Sequence, residues 1–118
     1  MNNLITLKRI TKNFLNNKRI TVLKKIDYSF KKGKVYSIMG PSGSGKSTLL
    51  NILSMIDKPT SGSLIINDTM INFSKTEEND KIRSKKIGII YQQNNLLSDF
   101  TALENVYLAR LAIDNNKS

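Results

Sequence analysis

Residues Gly40–Ser47 combine glycines, hydroxyls and one lysine in the sequence GPSGSGKS. Gly40, Gly45, Lys46 and Ser47 occupy the fixed positions of the spacing G-x-x-x-x-G-K-[ST], which is typical of phosphate-binding loops. Glycines allow the backbone to curl so that successive N–H groups point inward, and the first turn of a following helix completes a concave anion site. The sequence therefore predicts a site for the phosphates of a nucleotide.

The side chains of this loop indicate how a nucleoside triphosphate and Mg²⁺ are held. Lys46 offers a point charge to the outer phosphates, Ser47 offers its hydroxyl to Mg²⁺, and Thr48 can bond an inner phosphate oxygen. The backbone that surrounds the phosphates is predicted to come from Gly40, Pro41, Ser42, Gly43, Ser44 and Gly45. The alternative is a surface turn with an unremarkable lysine, and the flanking elements decide against it.

A short apolar run, residues 35–39 (VYSIM), predicts a buried strand before the loop, and apolar residues at helical spacing predict a helix over 49–56. This strand–loop–helix order is the context that a phosphate-binding loop requires. Further segments alternate in type and are, in order, a strand at 63–67, a helix at 76–86, a strand at 87–92 and a helix at 101–113. The last helix opens with Thr101 and Glu104, which fit a capping box.

The first 34 residues differ from the rest of the chain. Residues 4–14 alternate between apolar and polar, which predicts a strand with Leu7 and Ile10 on opposite faces. Residues 20–30 predict a second strand, and turn-forming residues follow each of the two. We therefore predict an α/β fold of the P-loop NTPase (RecA-like) class, with residues 1–118 as part of a single domain. Residues 1–34 form an antiparallel β flap, and residues 35–118 form a parallel-sheet core.

Composition limits the chemistry that is available. The 118 residues contain no cysteine and no histidine, so disulfides, thiolate metal sites and imidazole catalysis are excluded from this chain. The net charge is +10, and residues 1–36 hold ten basic residues and one acid. A basic segment can meet nucleic acid or an anionic membrane, but the arginine–aromatic interleaving of single-strand binders is absent, so nucleic acid is not the expected partner. No apolar run is long enough to span a membrane and no signal peptide is evident, which predicts a cytoplasmic location.

The segments that flank the loop carry a resemblance to a known family. LKRITKNFLNNKRITVLKKIDYSFKKGKVYSIMGPSGSGKSTLLNIL, DKPTSGSLIIND and IGIIYQQNNLLSDFTALENV resemble the ATP-binding subunits of ABC transporters over nearly the whole chain. The segment IYQQNNLLSDFTALENV is most similar to the lipoprotein-releasing and macrolide-exporter branch. The resemblance implies a subunit that couples binding and hydrolysis of Mg-ATP to membrane partners, peripheral on the cytoplasmic side of the inner membrane.

The resemblance also implies roles for single residues. Phe14 takes the place of the aromatic that stacks on adenine, although tyrosine is more familiar there. Gln92 takes the place of the Q-loop glutamine, which contacts Mg²⁺ and the attacking water; Gln93 is the alternative for that position. Lys46 and Gln92 are thus the expected catalytic residues, and Ser47 and Gln92 the expected metal ligands. The segment Gln92–Val106 is the implied contact surface for integral membrane subunits.

Three elements of such an ATPase find no match in the sequence: the signature loop, the acidic strand with its catalytic glutamate, and the switch histidine. The resemblance therefore implies the N-terminal half of a domain that works as a homodimer, able to hold ATP but not to cleave it efficiently alone. The alternatives are an ABC exporter of peptides or drugs, a non-transport ABC ATPase, and a truncated product without independent activity.

Overall fold

A computed structural model describes residues 2–93 and 95–115. The chain divides into two compact units, Met1–Ser74 and Lys75–Ser118. The elements of the first unit are β1 (Asn3–Asn16), β2 (Lys18–Lys31), α1 (Lys46–Leu53), β3 (Ser61–Ile66) and β4 (Thr69–Met70). The elements of the second unit are α2 (Thr76–Lys86) and α3 (Ala102–Asn115). No helix within 2–93 or 95–115 combines the length and the apolar character needed to cross a bilayer.

The strands of the first unit form one antiparallel sheet in the order β2-β1-β3-β4. The strands predicted over 4–14 and 20–30 are confirmed as β1 and β2, and the chain reverses between them at Asn17, whose φ is 60°. Asparagine tolerates this left-handed backbone better than most residues. The strand predicted over 63–67 is confirmed as β3, which pairs with the other edge of β1.

β1 contains a bulge that changes which face its side chains occupy. Strict alternation predicted Leu7 and Ile10 on opposite faces, and this is wrong because both are fully buried in the same core. Arg9 adopts a left-handed φ of 52°, and the register with β2 advances by three residues on β1 against two on its partner. One extra residue therefore resets the period-two pattern. The N–H of Arg9 donates to Asp27 Oδ1 on β2 at 2.9 Å.

β2 contains an irregularity of its own next to this bulge. Lys25 has a φ of 45°, and its N–H donates to Thr11 Oγ1 on β1 at 3.2 Å. Each strand thus supplies a side-chain oxygen to a left-handed residue of the other strand. These two bonds satisfy main-chain donors that the interrupted ladder leaves without a carbonyl partner.

β3 lies close to the backbone of β1 opposite the Arg9 bulge. Gly62 has a φ of 98°, and a Cβ atom at this position would lie 2.4 Å from the carbonyl oxygen of Arg9. Only glycine fits there, because both the backbone conformation and the space exclude a side chain. β3 then turns into β4 through Asn67 and Asp68, both with positive φ, as the commonest two-residue hairpin requires.

The core of the first unit lies where α1 and the segment after it pack on the sheet. The phosphate-loop helix, predicted over 49–56, begins at Lys46 and ends at Leu53. Ser54 closes it by donating from Oγ to the carbonyl of Leu50 at 2.8 Å. The buried apolar side chains, contributed by three strands, the helix and two flanking segments, are Leu7, Ile10, Leu23, Ile52, Met55, Leu64, Ile66 and Ile71.

The strands predicted at 35–39 and 87–92 are not formed. Both segments lack regular secondary structure, and neither pairs with a strand in the described part of the chain. Val35 is 98% exposed and Ile90 is fully exposed. A continuously apolar strand is stable when neighbours satisfy its backbone on both sides and cover both faces, and the described residues supply no such neighbours. The sheet that forms is therefore antiparallel, within an α/β fold.

The second unit consists of α2, α3 and the segment between them. α2 occupies the predicted residues 76–86, with acids in its first turn and bases in its last, which suits the helix dipole. The capping box predicted for α3 is confirmed: Glu104 N–H donates to Thr101 Oγ1 at 3.1 Å, and Thr101 N–H donates to Glu104 Oε1 at 3.0 Å. The bond from the Thr101 N–H, and then the Thr101 side chain, lower the pKa of the Glu104 carboxyl group. The carboxylate therefore caps α3 at neutral pH, and this contribution disappears as the pH falls through the lowered pKa.

Candidate functional site

The loop that precedes α1 is curled by glycines at two left-handed positions, Gly43 with φ 83° and Gly45 with φ 95°. Ser44 N–H donates to the carbonyl of Pro41 at 3.2 Å, which closes a tight turn at the tip. A Cβ atom on Gly40 would lie 2.8 Å from Ser44 Oγ. The backbone is thus folded closely on itself, as a phosphate cradle requires.

β2 supports the end of the loop from below. A Cβ atom on Gly45 would lie 2.9 Å from Val22 Cγ1 and 3.1 Å from Leu23 Cδ2. The absence of a side chain at Gly45 therefore allows the loop to rest directly on the strand. Gly45 was predicted to surround the phosphates, but its contacts with Val22 and Leu23 were not predictable, because contacts between distant segments leave no local signal.

Lys46 is the first residue of α1, and its side chain turns back over the loop. Nζ donates to the carbonyl oxygens of Gly40 and of Pro41, the latter at 3.1 Å. The ammonium group therefore lies against the first residues of the loop rather than extending into solvent. The positive charge of Lys46 therefore lies next to Gly40 and Pro41, two of the residues whose backbone was predicted to surround the phosphates.

The N-terminus of α1 is free of competing groups. Its N-cap is Gly45, which has no side chain to accept the first N–H groups, and its first turn contains no acid. The first N–H groups of a helix have no partner within the helix, and the dipole makes this end positive. Ser47 is exposed and Thr48 is half-buried in this turn. The described arrangement fits a phosphate chain with a cation at the Ser47 hydroxyl.

Phe14 lies on β1, opposite Ile20 of β2 and two residues along β2 from Val22, which supports the loop. Its ring is 42% exposed, and Lys12 Nζ lies 5.2 Å from the ring centroid. Lys12 also forms an ion pair with Asp57 at 3.0 Å, in the turn that follows α1. Part of the Phe14 ring is therefore accessible to solvent. The ion pair connects β1 to the segment that follows α1. Stacking of Phe14 on adenine stays a prediction.

Gln92 belongs to the second unit, where it lies in a bend and is exposed together with Gln93. The contact surface predicted over Gln92–Val106 continues through the next residues, of which Asn94 lies outside the described part of the chain. Leu97 is 52% exposed and Phe100 is 43% exposed. The metal and catalytic roles predicted for Gln92 stay predictions.

Asn105 is a residue of this segment that sequence analysis did not single out. Its side-chain amide bonds to the main chain of Leu97, Phe100 and Thr101 at distances between 2.9 and 3.4 Å. The signal that could have identified these bonds is an asparagine near the start of a predicted helix, because this side chain often bonds to nearby main-chain groups.

Residues 23–118 match the ABC transporter family. The chain is 47% identical over 106 residues to the uncharacterized ABC transporter ATP-binding protein MJ0796 of Methanocaldococcus jannaschii, covering 89% of this chain and 45% of that protein. It is 44% identical over 117 residues to the lipoprotein-releasing system ATP-binding protein LolD of Rickettsia bellii, covering 98% and 51%. LolD of Bacteroides thetaiotaomicron is 44% identical over 105 residues, covering 89% and 47%.

Two solved structures of the first of these relatives are also similar to this chain. The dimeric structure of MJ0796, described as a bacterial ABC transporter cassette, superposes with a TM-score of 0.86 at 45% identity, covering 92% of this chain and 47% of that one. A second dimeric structure of MJ0796, in a post-hydrolysis state bound to ADP and Pi, gives 0.85 at 44% identity, with the same coverage. The predicted fold class is thereby confirmed. The chain spans about half the length of the curated relatives it matches.

Proposed function

Because this chain belongs to the ABC transporter family, we propose that it is an ATP-binding part of a transporter and holds Mg-ATP at Gly40–Thr48. The observation that carries the proposal is the curled loop at the N-terminus of α1, which has no side-chain cap. Lys46 bonds to the main chain of this loop, and Gly45 packs against β2. The relative bound to ADP and Pi supports a nucleotide as the ligand.

The residues of the loop have separate tasks in this proposal. The main-chain N–H groups of the loop and of the first turn of α1 donate to phosphate oxygens. Lys46 exchanges its bonds to the loop carbonyls for the outer phosphates, and Ser47 donates an oxygen ligand to the metal. When bound, Mg²⁺ neutralises part of the phosphate charge. Gln92 is proposed to complete the metal and water contacts, as the family resemblance implies.

We expect the Ser47→Ala variant to lose the part of its ATP affinity that depends on Mg²⁺. Alanine has a good helix propensity and Ser47 is exposed, so the change removes the oxygen ligand with little effect on α1. Calorimetric titration with ATP should show weaker binding than the parent in Mg²⁺ and equal binding in EDTA. Equal affinities under both conditions would show that Ser47 does not hold the metal.

The transported substrate is proposed from the relatives. Two of the relatives described above are named lipoprotein-releasing system ATP-binding proteins, which supports lipoprotein release from the inner membrane as the process that ATP drives. The proposed partners are integral membrane subunits and a second ATP-binding subunit, and the dimeric relatives support the latter. The proposed location is the cytoplasmic face of the membrane. Export of peptides or drugs is the alternative within the same family.

We propose that the membrane subunits contact Gln92–Val106, where Leu97 and Phe100 expose apolar side chains on a loop. Replacing either residue by aspartate is expected to abolish transport and to leave ATP affinity unchanged, because a charge opposes burial of the loop against an apolar partner. The measurements are substrate transport and nucleotide binding by the reconstituted transporter. Leu4→Asp, which alters an exposed leucine of β1, serves as the matched control and should transport normally. Parental transport by both loop variants would exclude this surface.

A further inference from the structure

The side-chain amide of Asn105 forms a double hydrogen bond with a single residue of the preceding loop. Its Oδ1 accepts from the N–H of Leu97 at 2.9 Å, and its Nδ2 donates to the carbonyl oxygen of Leu97 at 3.2 Å. Two residues of a hydrogen-bonded antiparallel pair exchange bonds in the same manner. The first turn of α3 therefore holds Leu97 as a neighbouring strand would.

The same amide nitrogen also contacts two other carbonyl oxygens of the turn. Nδ2 lies 2.9 Å from the carbonyl oxygen of Thr101 and 3.4 Å from that of Phe100. Phe100 N–H donates to the carbonyl of Leu97 at 3.2 Å and closes the turn. The backbone of residues 97–101 is thus wrapped around one half-buried side chain.

We propose that Asn105 is a positioning residue that fixes the turn 97–101 so that Leu97 and Phe100 form a docking surface before the membrane partner arrives. This inference rests on the contact surface proposed above. The backbone of the turn is held by the Phe100–Leu97 main-chain bond, by the Leu97 N–H bond to Asn105 Oδ1, and by the two N–H groups of the Asn105 amide, which three carbonyl oxygens share. The side chains of Leu97 and Phe100 stay about half exposed. A loop whose backbone is already ordered loses less conformational entropy on binding, which strengthens the complex without any new contact.

The chemistry of the site requires an amide. Aspartate keeps the acceptor for Leu97 N–H but has no donor for the three carbonyl oxygens, and leucine has neither group at a similar volume. The series Asn105, Asn105→Asp and Asn105→Leu therefore removes the donor first and then the acceptor. Tyr107→Ala is the matched control, because Tyr107 lies on the same helix, is exposed, and is outside the proposed contact segment.

The first measurement is residue-resolved amide exchange on the ATP-binding polypeptide before assembly. In Asn105→Leu the exchange of the Leu97 amide should accelerate roughly tenfold, since the loss of one protecting bond exposes the group to local opening. Asn105→Asp should also exchange faster at Leu97 than the parent, because the carboxylate is repelled by the carbonyl oxygens to which the amide nitrogen donates. The amide of Glu104, which donates to Thr101 Oγ1, reports on the capping box and should stay protected in every variant.

The second measurement is transport by the reconstituted complex at saturating ATP. Asn105→Leu should transport several-fold more slowly than the parent at unchanged ATP affinity, and Tyr107→Ala should match the parent. Unchanged exchange of Leu97 in Asn105→Leu would overturn the positioning role, and faster exchange with parental transport would overturn the docking role. Failure of the parent to bind Mg-ATP would instead contradict the proposed function, and the exchange result would still report on the turn.

Discussion

Lys46→Ala is expected to weaken binding of Mg-ATP about 10- to 100-fold, the amount that corresponds to loss of a charge-assisted hydrogen bond. Lys46 is the only basic residue of the loop Gly40–Thr48, so no neighbour within the loop can replace its charge. The ammonium also bonds to the carbonyl oxygens of Gly40 and Pro41. Alanine would therefore remove both the proposed phosphate contact and the bonds from Nζ to the loop carbonyl oxygens.

Calorimetric titration of the variant and the parent with ATP in Mg²⁺ measures this effect. Lys58→Ala is the matched control, because Lys58 follows α1 and its contact with Lys12 is made by its main-chain carbonyl oxygen, which alanine keeps. The control should bind ATP as the parent does. If Lys46→Ala and the parent bind with equal affinity, the nucleotide site is not at this loop.

Gly62→Ala is expected to destabilise the first unit more than replacement of Gly33, the glycine that follows β2. A left-handed backbone at a residue with a side chain costs about 1–3 kcal/mol. Separating two strands that are in contact costs a further amount of about 1–3 kcal/mol. The new Cβ would lie 2.4 to 2.7 Å from backbone atoms of Arg9 and Lys8, and a backbone cannot rotate aside as a flexible side chain does.

Gly33→Ala separates the two contributions. Gly33 also has a positive φ, 71°, but no atom lies within 4 Å of the position that a Cβ would take. Its replacement should cost only the backbone term, so the difference between the two variants in urea unfolding, followed by circular dichroism, measures the strand contact. Equal destabilisation by both would mean that β1 and β3 separate at this point without penalty.

Local patterns predicted those elements whose cause lies within a few residues. β1 follows from alternation and β2 from its β-branched and aromatic residues. α2 follows from its order of charges, and the start of α3 from the Thr101–Glu104 capping box. The curl of the loop 40–47 was predictable for the same reason, since its glycines occur within a short stretch. The resemblance to ABC transporters, confirmed by relatives at 44–47% identity, also rested on continuous segments.

Features that depend on distant segments were not predictable in this way. The apolar runs 35–39 and 87–92 carry the composition of buried strands, but composition does not specify the neighbour that a strand requires, and neither forms one here. The support of Gly45 by Val22 and the approach of Gly62 to Arg9 join residues more than twenty positions apart. The hydrogen bonds of the Asn105 side chain are a local feature that could have been predicted, because all of its partners lie within eight residues.

The Arg9 bulge has a consequence for changes of chain length. Because Leu7 and Ile10 both reach the core across an interval of three, β1 already contains one residue more than a regular strand would need. Deletion of Arg9 would leave a shorter, more regular strand. It would also remove the N–H that donates to Asp27 Oδ1 and the carbonyl group beside Gly62. Most substitutions at this exposed position are tolerable by comparison. Among related chains, insertions and deletions should therefore be rarer around residue 9 than changes of residue type.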